Sequence, residues 1–460
     1  MEKLFGPEGI TGTAITELTC EIAMQTGRAL VLALENKLSH KVTVLIGKDT
    51  RLSSDILENA LVAGICSAGG DVKKLGVVPI GAVAFLTHEK NADAGIMIST
   101  PAAGFEYNGI VLFSSAGYRI SEDIEDEIEN AVLRHPETIK IRSHESVGTS
   151  TYYKDGEWDY IRHVIKLEDF DYTGLRVVID CANGSASETA EKLYTALGAK
   201  CFLVNNKPDG KNINSQCGIK FANNLTKVMK SKRADVGLVF DGSASRCFAI
   251  DENGVVVDGD DIMAIIAMHL KKDGRLKKDT VVVTDLTNLG FRRFAKNNNI
   301  IVSNSRSTER GIIEKEMDGG YSIGGEKNGR IILNGMSTTA DALITGLELL
   351  SALKSSGKRM SLLAGAMVKY PQVMINVAIR PECKELWKND PVITDFIEQK
   401  QHELGEEGRI LVREVGHEPL IRVMVEGKSF EAINQCAKEI HDKITEQTKP
   451  NVLHVNAEAE

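Results

Sequence analysis

Five short segments of this 460-residue chain carry side chains whose types and spacing could do chemistry. Gly47-Lys48-Asp49-Thr50-Arg51 places two cations around a carboxylate, and Ser99-Thr100-Pro101 offers two hydroxyls ahead of a proline. Asp241-Gly242-Ser243-Ala244-Ser245-Arg246 alternates one carboxylate with two hydroxyls. Gly325-Glu326-Lys327-Asn328-Gly329-Arg330 and the stretch from Arg413 to Pro419, which holds Glu414, His417 and Glu418, again mix both signs of charge. Clustered arginines in a water-poor site favour bound anions. Local carboxylates compete for the same guanidinium groups, here Asp49, Glu309, Glu326, Glu414 and Glu418, and both outcomes stay open at this level. The eight cysteines form no C-x-x-C and stand at no zinc spacing from the dispersed histidines, so they are expected as free thiols.

The elements that must position these segments alternate along the chain. Apolar runs at 42–46, 72–77 and 94–98 predict strands, and a helix from about Ser54 carries Ile56, Leu57, Ala60, Leu61, Gly64 and Ile65 on one face. The order restarts with strands at 176–180, 200–204 and 236–240 and helices at 187–197 and 224–232. It restarts again with helices at 261–270 and 289–297, strands at 280–284 and 300–302, and a long amphipathic helix at 338–353. The last ninety or so residues differ, as strand 373–378, helix 392–404, strands 409–413 and 421–426, and helix 430–445. The expected fold is therefore α/β, with three similar mixed-sheet domains (1–150, 151–253 and 254–367) and a smaller C-terminal α+β domain (368–460). The tail beyond Pro450 is expected to fray. Ligand sites in such sheets lie at strand carboxyl ends, where the five segments fall.

Composition narrows the class. With 42% hydrophobic and 26% charged residues the chain is globular. A net charge of -9 argues against a nucleic-acid binder. No apolar run approaches the roughly 20 residues of a membrane helix, and the N-terminus lacks a secretory h-region. A cytoplasmic protein without nucleic-acid or membrane partners is expected.

Several pieces in order carry a specific resemblance: Gly47-Lys48-Asp49-Thr50-Arg51, Asp180-Cys181-Ala182-Asn183-Gly184, Pro208-Asp209-Gly210 with Asn212-Ile213-Asn214, Lys369-Tyr370-Pro371-Gln372-Val373, and Glu418-Pro419-Leu420 running on to Glu426. Over essentially its whole length the chain resembles the α-D-phosphohexomutases, the phosphoglucosamine mutase branch in particular. The resemblance implies four domains around a central cleft. It also implies a reaction that moves phosphate between O6 and O1 of a phosphosugar by way of a phosphoserine and a sugar bisphosphate. That reaction needs a nucleophilic serine, a divalent cation, a sugar loop and a distal phosphate clamp.

At each of those places the chain departs from the family pattern. The nucleophile loop S-A-S-H-N-P-x-x-x-N-G is Ser99-Thr100-Pro101-Ala102-Ala103-Gly104-Phe105-Glu106-Tyr107-Asn108-Gly109, which puts Pro101 at the phosphoserine and Ala102 at the histidine. Ser99 and Thr100 are the candidate substitutes, and either needs the loop to shift by about 3–4 Å. The metal loop D-G-D-G-D-R keeps Asp241 and carries Ser243 and Ser245, so no magnesium is expected unless activity persists. The loop G-T-D-G-I-R-G is Gly6-Pro7-Glu8-Gly9-Ile10-Thr11-Gly12, and the sugar loop G-E-x-S-G-H keeps Glu326 but ends in Asn328-Gly329-Arg330. The clamp R-P-S-G-T-E-P is Arg413-Glu414-Val415-Gly416-His417-Glu418-Pro419. The resemblance thus implies a fold kept without its ancestral chemistry, a binding or regulatory homologue. The alternative is a mutase with residual or altered activity. Candidate ligand-binding residues are Lys48, Arg51, Arg246, Arg310, Glu326, Arg330, Arg413, His417 and Arg422, with Arg306 also in the basic set. Candidate partners are a phosphosugar or other small anion, a second copy of the chain, or an intact mutase in a mixed dimer.

Overall fold

A computed structural model describes residues 3–167, 170–380, 387–414 and 420–448. His417 and the tail beyond Pro450 lie outside the described residues.

The first sheet has six strands in the order 10–13, 107–114, 94–98, 43–48, 71–77, 150–152. The strands at 43–48, 71–77, 94–98 and 150–152 run parallel, and 107–114 returns antiparallel between 94–98 and 10–13. One face is covered by helices Cys20–Glu35 and Leu52–Ser67. These two helices touch backbone to backbone, because a Cβ on Gly64 would stand 2.1 Å from the Met24 carbonyl oxygen. Leu57, Leu61, Gly64 and Ile65 form the buried stripe as the periodicity predicts. Ile56 does not join it and is 45% exposed, since it sits about 100° around the helix from Leu57.

The second sheet orders its strands 256–257, 247–250, 236–240, 176–180, 200–204. The third orders 301–305, 280–284, 323–325, 331–333. Val281, Val282 and Val283 are fully buried, the signature of a parallel strand covered on both faces. The predicted helix at 224–232 begins instead as a 3-10 turn over Ile219–Leu225 before the α-helix Thr226–Lys232. The long helix runs Ala342–Ser356, started by Asp341, whose side chain accepts from the amides of Leu343 and Ile344.

By contact density the chain divides into two compact units, 1–286 with 299–366, and 287–298 with 367–460. The second unit is an antiparallel three-stranded sheet in the order 372–378, 420–426, 409–414. Its core joins Val377, Ile421, Val423 and Val425 to Ile393, Ile433, Ala437 and Ile440 of helices Pro391–Leu404 and Phe430–Thr448. Helix Leu289–Asn297 belongs to this unit, and Asn288 at its N-cap donates to the Tyr370 carbonyl at 2.9 Å. Three mixed-sheet α/β domains and a C-terminal antiparallel-sheet domain are thus the observed architecture. Among the described residues, no helix is long and apolar enough to cross a membrane.

Candidate active site

Strand 94–98 delivers the loop from Ser99 to Gly104, and this loop is clasped from below. Arg51 is buried and ion-paired with Asp49. Its remaining nitrogens donate to the carbonyls of Thr100 at 3.0 Å, Ala103 at 2.8 Å and Gly104 at 3.2 Å. The Asn214 amide donates to the carbonyls of Pro101 at 2.9 Å and Ala103 at 2.8 Å. Arg51 therefore shapes the loop, with four of its five N–H donors committed to Asp49 and the loop carbonyls. Pro101 contributes neither hydroxyl nor N–H. Ser99 is buried, and its hydroxyl donates to Asp49 at 2.6 Å; Thr100 is half-buried. Of the two candidate substitute nucleophiles, Ser99 is thus engaged and enclosed.

The loop 241–246 joins antiparallel strands 236–240 and 247–250, and Ala244 lies in the left-handed region at φ 57°. Asp241 is surrounded by donors of its own loop. One oxygen accepts from the amides of Ser245 at 2.8 Å and Arg246 at 3.0 Å. The other accepts from the hydroxyls of Ser243 at 3.0 Å and Ser245 at 3.1 Å, with Ser243 also 2.9 Å from the Ser245 hydroxyl. The loop holds one carboxylate rather than three, and that carboxylate is fully hydrogen-bonded. This donor set does not fit the magnesium that the fold family implies. Among the described residues, no three His, Cys, Asp or Glu side chains are grouped to hold a metal. The loop's carbonyls instead receive neighbouring domains. Ile80 N–H donates to Ser243 O at 3.1 Å and Ala342 N–H to Ala244 O at 3.0 Å.

The remaining candidate cations of the first unit also face carboxylates. Lys48 contacts Asp55 at 2.5 Å and Glu58 at 2.6 Å. Burial disfavours its charge, but these two acids outweigh that and raise its pKa. Arg310 bridges Glu122 at 2.9 Å and Glu125 at 2.7 Å, and Arg306 pairs with Glu314 at 2.6 Å. Arg330 ion-pairs with Glu8 and with Glu326 at 3.3 Å, while Arg246 reaches Glu8 at 3.3 Å. Behind them Arg119 donates to Glu309 at 2.8 Å. Burial pushes Glu309 upward, but Arg119 and Arg330 win and hold it at about 2. Glu326 also accepts from Asn328 at 3.1 Å, so this acid is engaged within its own loop.

In the second unit Arg413 and Arg422 face each other in register on adjacent strands, with Asn376 beyond Arg422. Arg422 donates to Asn376 at 2.9 Å. The Arg413 Nε is buried and lacks a hydrogen-bond partner. Glu414 turns instead to Lys388 at 2.9 Å and the Trp387 indole at 3.1 Å.

Glu8, Arg119 and Asn214 are the site residues that sequence reasoning did not single out. The available signal for Glu8 was its carboxylate in a Gly-Pro-Glu-Gly turn.

The fold and these loops define an enzyme family. The descriptions "Phosphoglucomutase/phosphomannomutase" alpha/beta/alpha domains I, II and III match residues 2–138, 158–254 and 258–370, and the C-terminal domain matches 374–443. The chain belongs to this α-D-phosphohexomutase family. Within it, the chain is similar to proteins named phosphoglucosamine mutase. One from Acetivibrio thermocellus is 42% identical over 97% of this chain and 100% of the relative. One from a Thermoanaerobacter species is 43% identical over 96% and 99%. Among solved structures, a phosphoglucomutase/phosphomannomutase family protein from Burkholderia thailandensis superposes with TM-score 0.81 at 19% identity, covering 97% of this chain and 98% of that one. An N-acetylphosphoglucosamine mutase from Aspergillus fumigatus, solved with GlcNAc-6P and magnesium, superposes with TM-score 0.68 at 14% identity, covering 97% and 96%.

Proposed function

We propose that this chain is a non-catalytic phosphohexomutase homologue that binds a phosphosugar or other small anion and acts as a binding or regulatory protein. The observation that carries this is Pro101, a residue without a hydroxyl at the nucleophile position, next to a Ser99 hydroxyl already committed to Asp49. Phosphoryl transfer depends on in-line placement, and a displacement near 1 Å costs on the order of 100-fold. The self-contained Asp241 loop supports the same conclusion. Arg413 and Arg422 supply the anion-binding chemistry. A second copy of the chain, or an intact mutase, is the candidate protein partner.

The test is an assay for glucosamine 1-phosphate from glucosamine 6-phosphate with bisphosphate activator and magnesium, joined to intact-mass measurement. The expected result is no product and no covalent phosphoryl group. Turnover in the ordinary range of about 1–1000 per second would overturn the proposal. A second function, a phosphoglucosamine mutase with residual or altered activity in amino-sugar metabolism, is favoured by end-to-end identity of 42% to proteins of that name. In that case magnesium would be needed, and Thr100, the half-buried hydroxyl beside Pro101, is the residue to test. Thr100→Ala would abolish the residual rate and Ser99→Ala would not.

A further inference from the structure

Two guanidinium groups from different domains converge on one carboxylate oxygen. Glu8 stands at the tip of a turn closed by paired amides, Gly6 N–H to Gly9 O at 2.9 Å and Gly9 N–H to Gly6 O at 3.0 Å. Gly9 has φ +90°, and a Cβ there would meet the Ile110 carbonyl oxygen at 2.5 Å, so the turn sits hard against the first sheet. Glu8 Oε1 accepts from Arg246 at 3.3 Å and from Arg330. Arg246 follows the loop of the second sheet and Arg330 the loop of the third, and the two residues also form a backbone bridge. Glu326, Glu309 and Arg119 complete a group of three cations and three anions.

Two features set Glu8 apart from the other two acids. Its side chain is 32% exposed, against 5% for Glu309 and 8% for Glu326. The Arg246 Nε is buried and has no partner, so a single oxygen at 3.3 Å leaves that guanidinium edge under-used. A tetrahedral oxyanion, with several oxygens in a small volume, matches such a pair of forks better than one carboxylate oxygen does.

We propose that Glu8 is a tethered counter-ion masking an oxyanion site formed by Arg246 and Arg330, and that a phosphate-type anion and the Glu8 turn compete for it. Bound anion and a docked turn are mutually exclusive, so occupancy of the site releases the N-terminal turn from the second and third domains. Linkage makes the effect reciprocal: whatever withdraws Glu8 raises anion affinity by the same factor. The inference goes beyond the function proposed above and holds whether or not the chain turns over a sugar phosphate.

The experiment is titration of the full-length protein with inorganic phosphate, followed by calorimetry, for the parent, Glu8→Gln and the double variant Glu8→Gln/Arg246→Ala. Glu8→Gln is expected to bind phosphate about tenfold more tightly than the parent, and the gain is expected to vanish in the double variant. The double variant separates this site from Arg413 and Arg422, which remain in all three proteins. Equal affinity in parent and Glu8→Gln, or a gain that survives Arg246→Ala, would overturn the proposal. Glu8→Asp keeps the charge and retracts it by one methylene, guarding against a Glu8→Gln protein that folds poorly. It is expected to show a smaller gain of the same kind, and parent-like affinity there would also count against the masking role.

Discussion

In the first compact unit Lys48, Arg51, Arg246, Arg310 and Arg330 each lie against at least one carboxylate. In the second, Arg413 and Arg422 stand opposite each other with an asparagine as the only side-chain partner seen for either among the described residues. Burial accounts for the pairing of the two deepest cations, whereas Lys48, Arg246 and Arg310 are half-buried as Arg413 and Arg422 are. Arg51 is 2% exposed and Arg330 4%, and a guanidinium that deep must be neutralised or the fold fails. Arg413 and Arg422 are half-buried on the sheet face away from the apolar core, where water screens their repulsion. The charged loops of the first unit are joints between its domains, and the basic pair of the second has no carboxylate partner among the described residues.

The sharpest way to break that comparison is to add carboxylates to the joint. Ser243 and Ser245 are 1% and 6% exposed and lie within hydrogen-bond reach of Asp241. Ser243→Asp/Ser245→Asp places three carboxylates together in a buried loop. A loss of about 3–5 kcal/mol without metal is expected, seen as a large drop in chemical-denaturation midpoint. Magnesium should return much of it, because a new cation site binds only the native state. A double variant as stable as its parent in chelator would mean the loop is not the closed structure described here.

Glu309 comes next. Its pKa falls from an ordinary 4.5 to about 2 in the folded protein. A depressed carboxylate stabilises the fold above the unfolded-state value, and that contribution is lost as pH falls from about 4.5 toward 2. Glu309→Gln should cost about 3 kcal/mol at neutral pH and flatten the acid limb of the stability profile between those values. An unchanged acid limb would show that the Arg119 pairing is not what holds this carboxylate.

Glu316 has the opposite sign. It is 1% exposed, neither oxygen has a hydrogen-bond partner, and burial raises its pKa well above the ordinary carboxylate range. The unfolded chain ionises this acid more readily, so the penalty is absent below the unfolded-state pKa and grows as pH rises toward the folded value. Glu316→Leu is expected to raise stability at pH 7 by about 1–3 kcal/mol and to have little effect near pH 4. A destabilised variant at pH 7 would reveal a partner for the carboxyl that only the ionised form makes.

Much of this architecture was legible in the chain because period and punctuation are local. Strands 94–98, 176–180, 236–240 and 280–284 begin and end at the bounds expected from their apolar runs and flanking polar residues. The short strands 10–13, 323–325 and 331–333 carry too few residues for a period to show, and tertiary pairing alone makes them strands. The altered loops were legible as departures from a pattern. What the charged side chains of those loops pair with was not, because an ion pair such as Glu8 with Arg330 joins residues 322 positions apart. No local rule says which of several nearby acids will meet a given arginine.

The smallest expected effect belongs to the open row of the second unit, and it decides whether that row is a binding surface or a tolerated flaw. Like charges directly opposite on antiparallel strands cost roughly 0.2–1 kcal/mol, and Arg413 and Arg422 occupy such a pair. Arg413→Ala should therefore leave the melting temperature unchanged or slightly higher in the absence of ligand. Glucosamine phosphates should stabilise the parent by RT ln(1 + [L]/Kd), about 2.7 kcal/mol at a hundredfold excess over Kd. That stabilisation should shrink with added salt, be indifferent to magnesium, and be lost in Arg413→Ala. The two measurements pull in opposite directions on one residue, so general destabilisation cannot mimic the result. A parent whose melting temperature stays flat at millimolar phosphosugar would remove the small-anion ligand from the proposed function and leave a protein partner as its only form.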